Sequence, residues 1–233
     1  MQPNETEGLI DTQAEGKTIV LIGWSGLTGS HVLDLLEKDA RCDKIVLWGR
    51  KIPKTKSSKV TAYNINPDEM KARMHGAHAV ICCLGTTIKK AGSQEQFRAV
   101  DYELPLKFAQ MAADERVPRF CLMSSVGANM HSSNFYLNTK GQLETGLIAL
   151  NFFRTDFFRP SLLLGKRNEF RLGERIAMFI LPIFNVFLFG KLAQYKSIKS
   201  ADVAKAMVTS VMDSVYERRG VFIHHYKEMI QML

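Results

Sequence analysis

Tyr136 and Lys140 stand four residues apart in the run Tyr136-Leu137-Asn138-Thr139-Lys140. On a helix that spacing puts both side chains on one face. A phenol with a pKa of about 10 is a poor acid or base at neutral pH unless a nearby cation favours its phenolate. Lys140 supplies that charge and could also hold the ribose of a nicotinamide nucleotide. Ser124 and Ser125 end an apolar run upstream, where a hydroxyl could hydrogen-bond a substrate oxygen. Together these residue types fit proton transfer to or from an oxygen, paired with hydride transfer by a nucleotide.

A second group could hold that nucleotide. The apolar run 17–23 leads into Gly23-Trp24-Ser25-Gly26-Leu27-Thr28-Gly29, with glycine at every third position. Gly23 suits a tight turn, Gly26 lets backbone N–H groups approach a pyrophosphate, and Gly29 lets the following helix pack close to the sheet. The helix start adds N–H donors and the positive end of a dipole, and Ser25 and Thr28 add hydroxyls. The next apolar run ends Gly49-Arg50-Lys51. An acid there would bind the ribose hydroxyls of NAD(H), whereas a cation pair suits a 2′-phosphate. The expected cofactor is therefore NADP(H). A further run ends Cys82-Cys83-Leu84-Gly85, where Gly85 allows close passage of the cofactor.

These residues need a scaffold. Short apolar runs at 17–23, 44–49, 59–65, 78–84, 119–123, 156–164 and 221–224 read as strands. Helical spacing is expected over 27–38, 67–75, 93–115 (with Pro105 as a kink or break), 134–150 and 200–214. Strands alternating with helices imply an α/β fold, a doubly wound parallel sheet with helices on both faces. The expected organisation is a flexible tail over 1–16 and a single nucleotide-binding domain over 17–233. Residues 165–233 would contribute a small C-terminal cap on the substrate side.

Composition narrows the classes. Hydrophobic residues make up 46% and charged residues 23%, an ordinary globular balance. The four cysteines form no C-x-x-C pair, and three lie in apolar runs. They read as reduced thiols of a cytoplasmic protein, with no zinc site, and Cys82 and Cys83 as strand neighbours facing opposite sides. His75, His78, His224 and His225 lack partners at metal-ligand spacing and read as structural or exposed, so no metal is expected. The polar, acidic start lacks the pattern of a signal peptide.

The net charge is +8, and 126–233 hold 14 bases against 8 acids. No nucleic-acid-binding motif accompanies this surplus. Residues 176–190 are apolar nearly all round, yet too short to span a membrane and interrupted by Pro182 and Asn185. They read as a buried cap helix or dimer contact, an apolar substrate tunnel, or a protein-partner or peripheral membrane contact. Monomer and homodimer both stay open.

The motifs Gly23–Gly29, Gly49-Arg50-Lys51, Cys82–Thr87, Lys90–Gly92, Phe97–Asp101, Ser124-Ser125, the run from Ser132 to Gly141 and the run from Phe158 to Arg167 resemble a known family. They are similar to the atypical branch of the short-chain dehydrogenase/reductase superfamily, and within it to the Tat-interacting-protein oxidoreductases. The resemblance runs from about 17 to 173. It implies a Rossmann-type fold, with NADP(H) contacts at Ser25, Gly26, Leu27 and Thr28 and at the basic pair Arg50 and Lys51. It also implies a cofactor-lining turn at Leu84 and Gly85, a catalytic pair Tyr136 and Lys140, and a closing loop that carries Leu163 and Arg171. Substrate identity does not follow from the resemblance; the Tyr136, Lys140 chemistry calls for a small carbonyl or alcohol, and the run 176–190 allows an apolar one. Some relatives are known mainly through protein partners, so the alternative is an NADP(H)-sensing protein with little turnover. The superfamily serine lies about 13 residues before the tyrosine. Ser124 and Ser125 stand 12 and 11 before Tyr136, so both stay candidates and Ser132 and Ser133 compete.

Overall fold

The aliphatic runs at the centre of the sheet pair side by side because they are buried on both faces and satisfy their backbone through neighbouring strands. The computed structural model describes residues 16–64, 66–165 and 190–233. Its strands are β1 Lys17–Ile22, β2 Cys42–Trp48, β3 Val60–Tyr63, β4 Ala79–Cys82, β5 Arg119–Met123, β6 Arg154–Phe158, β7 Leu163–Leu164, β8 Ile198–Lys199 and β9 Gly220–His224. Seven of them form one sheet in the order β3-β2-β1-β4-β5-β6-β9, and every neighbouring pair is parallel. β7 and β8 form a separate two-stranded ribbon. The helices are α1 Leu27–Lys38, α2 Ile88–Ala91, α3 Gln94–Arg98, α4 Leu104–Asp114, α5 Phe135–Ala149, α6 Ser200–Met212 and α7 Tyr226–Gln231.

The period of two along the strands sorts the core. Ile19 and Leu21 point to the face covered by α1 and α6, with Val32, Leu36, Val203 and Met207. Val20 and Ile22 point to the opposite face, with Phe108 of α4 and Leu143 and Leu147 of α5. This is the doubly wound, Rossmann-type arrangement, in which α6 and β9 belong to the main layers and α7 and the β7–β8 ribbon are the described part of a small C-terminal cap.

Three expected elements differ. The helix over 93–115 is three pieces: α3, a π-helical turn Ala99–Glu103, and α4. The backbone stays helical through both junctions, and the π-turn falls just before Pro105, which has no N–H to donate to the preceding turn. The strand over 156–164 stops at Phe158, and Pro160 then separates it from β7. The helix over 67–75 is a 3₁₀ segment Pro67–Arg73. The tail over 1–15 and residues 166–189, which include Arg171 and most of the apolar run 176–190, lie outside the described residues.

Several bases of the first 125 residues are used inside the fold. Lys17 Nζ donates to Met212 O at 2.9 Å and Arg119 Nη1 to Val211 O at 3.2 Å. Arg41 Nη1 also donates to Met212 O, at 3.3 Å, and His78 Nε2 lies 3.2 Å from Val211 O. These strand-start bases therefore meet the negative, C-terminal end of α6.

His78 is the titrating member of that cluster. Burial, and then the charges of Lys17 and Arg119, push its imidazole down to about 4. A group depressed by folding contributes stability above its ordinary value of 6.5, and that stability is lost as pH falls. Denaturant titrations should show stability declining between about pH 6.5 and about pH 4, and His78→Gln should flatten that part of the curve. An unchanged slope in the variant would contradict this account.

Candidate active site

The strand order reverses between β1 and β4, so their carboxyl ends open a crevice. Gly23 leaves β1 with φ +82°, and a Cβ there would lie 2.6 Å from Cys83 C and 2.7 Å from Leu84 N. Only glycine fits that conformation and that approach. A Cβ on Gly29 would fall 2.2 Å from Gly23 O, so α1 begins in direct contact with the turn. The Gly26 N–H donates to Gly23 O at 3.1 Å and closes the turn. It is therefore used internally, and the donors left over are those of the first helical turn, Leu27, Thr28 and Gly29. Gly26 caps α1 without any side-chain hydrogen bond, and Thr28 Oγ1 is buried without a partner among the described residues. Ser25 is exposed. A bare backbone concavity, free helix-start donors and an orphaned hydroxyl fit the pyrophosphate of a dinucleotide.

Beside this cradle the chain leaves β2 through Gly49. Arg50 and Lys51 follow, exposed and with no ion pair to any described residue. Leu84 is half-buried and Gly85 exposed at the end of β4. Leu163 pairs with Ile198 in the β7–β8 ribbon. Gly165, just beyond, packs so closely that a Cβ would lie 2.9 Å from Leu27 Cδ1 and 2.7 Å from Ser200 Oγ. The ribbon thus closes on the side chain of Leu27 in the glycine loop.

Across the crevice, α5 starts where the Asn134 side chain accepts from the Leu137 N–H at 3.1 Å. A Cβ on Gly141 would lie 2.2 Å from Asn129 C, so the loop after β5 presses on the helix backbone. Tyr136 is half-buried, its ring 5.7 Å from that of Phe97 on α3. Lys140, one turn on, is buried, and its Nζ lies 2.8 Å from Oδ1 of Asp101, which is buried as well. Asp101 Oδ2 accepts from the Thr86 N–H at 2.7 Å, in the turn after β4. Burial works to lower the Lys140 pKa, but Asp101 and the facing Tyr136 outweigh it and hold the ammonium above its ordinary value. Lys140 is therefore a fixed positive charge beside the phenol.

The serines part company. Ser124 is buried and its hydroxyl donates to Glu144 Oε1 at 2.5 Å. Glu144 is also held by Arg159, whose Nε lies 2.9 Å from Oε1 and whose Nη2 pairs with Oε2. Ser125 is half-exposed, and among the described residues its hydroxyl donates only to Val126 O, at 3.3 Å. Ser132 Oγ accepts from the Asn134 N–H and belongs to the entry of α5, and Ser133 is exposed. Ser124 and Ser125 thus both stand at the end of β5, but only Ser125 has a hydroxyl not tied to another side chain.

Asp101, Glu144 and Arg159 were not singled out from the sequence. Asp101 ends the Phe97–Asp101 motif, and Glu144 continues the Tyr136, Lys140 spacing by four, so both left a trace. Cys82 and Cys83 belong to the cores on opposite faces of the sheet, as expected. Burial pushes the Cys82 thiol up to about 11 and Cys83 higher still, so neither is a ready nucleophile. His224 is structural, its Nε2 2.6 Å from Asp156 Oδ1.

No family model matches the chain. It is 33% identical over 202 residues to "Protein FMP52, mitochondrial" of Meyerozyma guilliermondii, covering 83% of this chain and 85% of that protein. It is 35% identical over 175 residues to "Protein HTATIP2" of Rattus norvegicus, covering 72% and 71%. Among solved structures, MoeE5 in complex with UDP-glucuronic acid and NAD aligns with a TM-score of 0.67 over 88% of this chain and 75% of that one, at 13% identity, which shows a shared fold. The expectation of a cytoplasmic protein is corrected here. Fungal relatives from several species are named as mitochondrial proteins, which points away from the cytoplasm. Reduced, buried cysteines reported on redox surroundings and did not specify a compartment.

The buried ion pair has a measurable weight. Asp101→Ala leaves Lys140 charged and unpaired in the interior and should cost about 3–5 kcal/mol of unfolding free energy. Removing both charges in Asp101→Leu/Lys140→Met should recover much of that loss. A cost below about 1 kcal/mol for the single variant, the weight of an exposed pair, would contradict the assignment.

Proposed function

The chain belongs to the family of HTATIP2 and FMP52, an atypical branch of the short-chain dehydrogenase/reductases, and from that membership we propose that it is an NADP(H)-dependent oxidoreductase acting on a small carbonyl or alcohol. One observation carries the reading above the others. Tyr136 and a buried Lys140 that Asp101 holds in its charged form share a helix face at the carboxyl edge of the sheet, opposite a glycine cradle with unused donors.

The residues divide the labour as follows. Leu27, Thr28 and Gly29 hold the pyrophosphate through N–H groups, and Thr28 adds its orphaned hydroxyl. Arg50 and Lys51 meet a 2′-phosphate, which favours NADP(H) over NAD(H). Leu84, Gly85 and the Leu163 ribbon flank the crevice. The bound nucleotide supplies hydride chemistry at its nicotinamide. Tyr136 gives its phenolic proton to the substrate oxygen in reduction and accepts it in oxidation. Lys140 lowers the cost of the phenolate left behind. Ser125 hydrogen-bonds the same oxygen and fixes its distance from Tyr136. Ser124 acts further back: through Glu144 and Arg159 it anchors the loop that carries Ser125. Asp101 is a positioning residue, joining Lys140 to the turn that lines the cofactor.

A carbonyl-substrate screen with NADPH consumption as readout tests the proposal. Tyr136→Phe should lower turnover by roughly 10²-fold or more while NADPH affinity stays nearly constant. Ser125→Ala should lower turnover with little loss of stability, whereas Ser124→Ala should lose stability because Glu144 forfeits a buried partner. Unchanged turnover in Tyr136→Phe would remove the acid–base assignment.

A further inference from the structure

The loop between β1 and α1 contains a second orphaned polar atom besides Thr28 Oγ1. Trp24 Nε1 is buried and has no hydrogen-bond partner among the described residues. Its indole lies against the end of β2, where a Cβ built on Gly49 would come within 2.7 Å of Nε1 and 3.3 Å of Cδ1. The ring edge thus takes the space of a side chain at position 49. Arg50 and Lys51 follow directly, exposed and with no ion pair among the described residues. A buried donor without an acceptor carries an uncompensated desolvation penalty, and this one lies against the residue that precedes the two cations.

We propose that Trp24 is a specificity-determining residue for the nucleotide's 2′-phosphate. This deepens the NADP(H) reading and rests on it. The indole N–H is a third donor beside the Arg50 guanidinium and the Lys51 ammonium, brought into reach by a small rotation of the ring off Gly49. A phosphate oxygen is a charged acceptor, and hydrogen bonds to charged groups are about twice as strong as neutral ones. A free 2′-hydroxyl offers only a neutral acceptor, so the indole separates the two nucleotides. Glycine at 49 is part of the device, because any side chain there would displace the ring.

The competing role is packing, since Trp24 also leans on the core beneath α1. Packing alone would affect both nucleotides equally. Calorimetric titration of NADPH and NADH into the wild type and Trp24→Phe separates the two roles. The variant keeps an apolar ring and removes the N–H. It should weaken NADPH roughly tenfold or more and leave NADH unchanged. In wild-type protein carrying ¹⁵N-indole label, the Trp24 N–H resonance should move farther on adding NADPH than on adding NADH. An equal effect on both nucleotides, or none on either, would overturn the assignment of Trp24 while leaving the cofactor reading intact. A wild type that binds neither nucleotide would overturn the cofactor reading and this inference with it. If Trp24→Phe fails to fold, the indole resonance of the wild type decides alone.

Discussion

The Asp101–Lys140 pair is the point at which the parts of the site become one structure. Its two ends come from distant segments, the π-turn between α3 and α4 and the second turn of α5. The second oxygen of Asp101 reaches a third segment, the backbone at Thr86 beyond β4. Two charges this deeply buried are tolerated only because each meets the other at 2.8 Å. The carboxylate must therefore stay where it is, and so must the turn that presents it. In a regular α-helix the residue in the middle of 93–115 would lie a fraction of a turn elsewhere. The π-turn supplies the local adjustment, as such turns do at functional positions.

The opposite wall of the crevice is governed by a different constraint, the distance between backbones. Gly23 touches the end of β4 and Gly29 touches Gly23, so the glycine loop is a contact surface before it is a binding surface. Close packing leaves no room for side chains and exposes N–H groups instead, which is the condition for holding phosphate. The same economy of space recurs at Gly49 beneath Trp24 and at Gly141 beneath the loop after β5.

Much of this was legible in the residues. Buried strands announce themselves as aliphatic runs, and the parallel sheet follows from their alternation with helices. The glycine triplet and the Tyr136, Lys140 spacing carry their positions with them, since each depends on local geometry. What the sequence withheld depends on long-range pairing. Nothing in the periodicity of 93–115 shows that Asp101 turns inward, because a π-turn shifts the face without changing the pattern of apolar residues. Neither serine could be preferred until Glu144, 20 residues beyond Ser124, was seen to claim it. Strand ends were misjudged where apolar residues continue past the last ladder hydrogen bond, as at Leu163 and Leu164, which pair with Ile198 and Lys199. Location was misread for a simpler reason: thiol burial does not distinguish compartments.

The proposed chemistry requires a nucleotide in the crevice between the glycine loop and α5. Amide hydrogen exchange with and without NADPH addresses that claim directly, because it reports where binding is felt. Protection should concentrate in the Gly23–Gly29 loop, in Leu84 to Thr86 and at the start of α5, where donors and the Asp101 link converge. Protection absent from these segments, or confined to others while NADPH is bound, would contradict it.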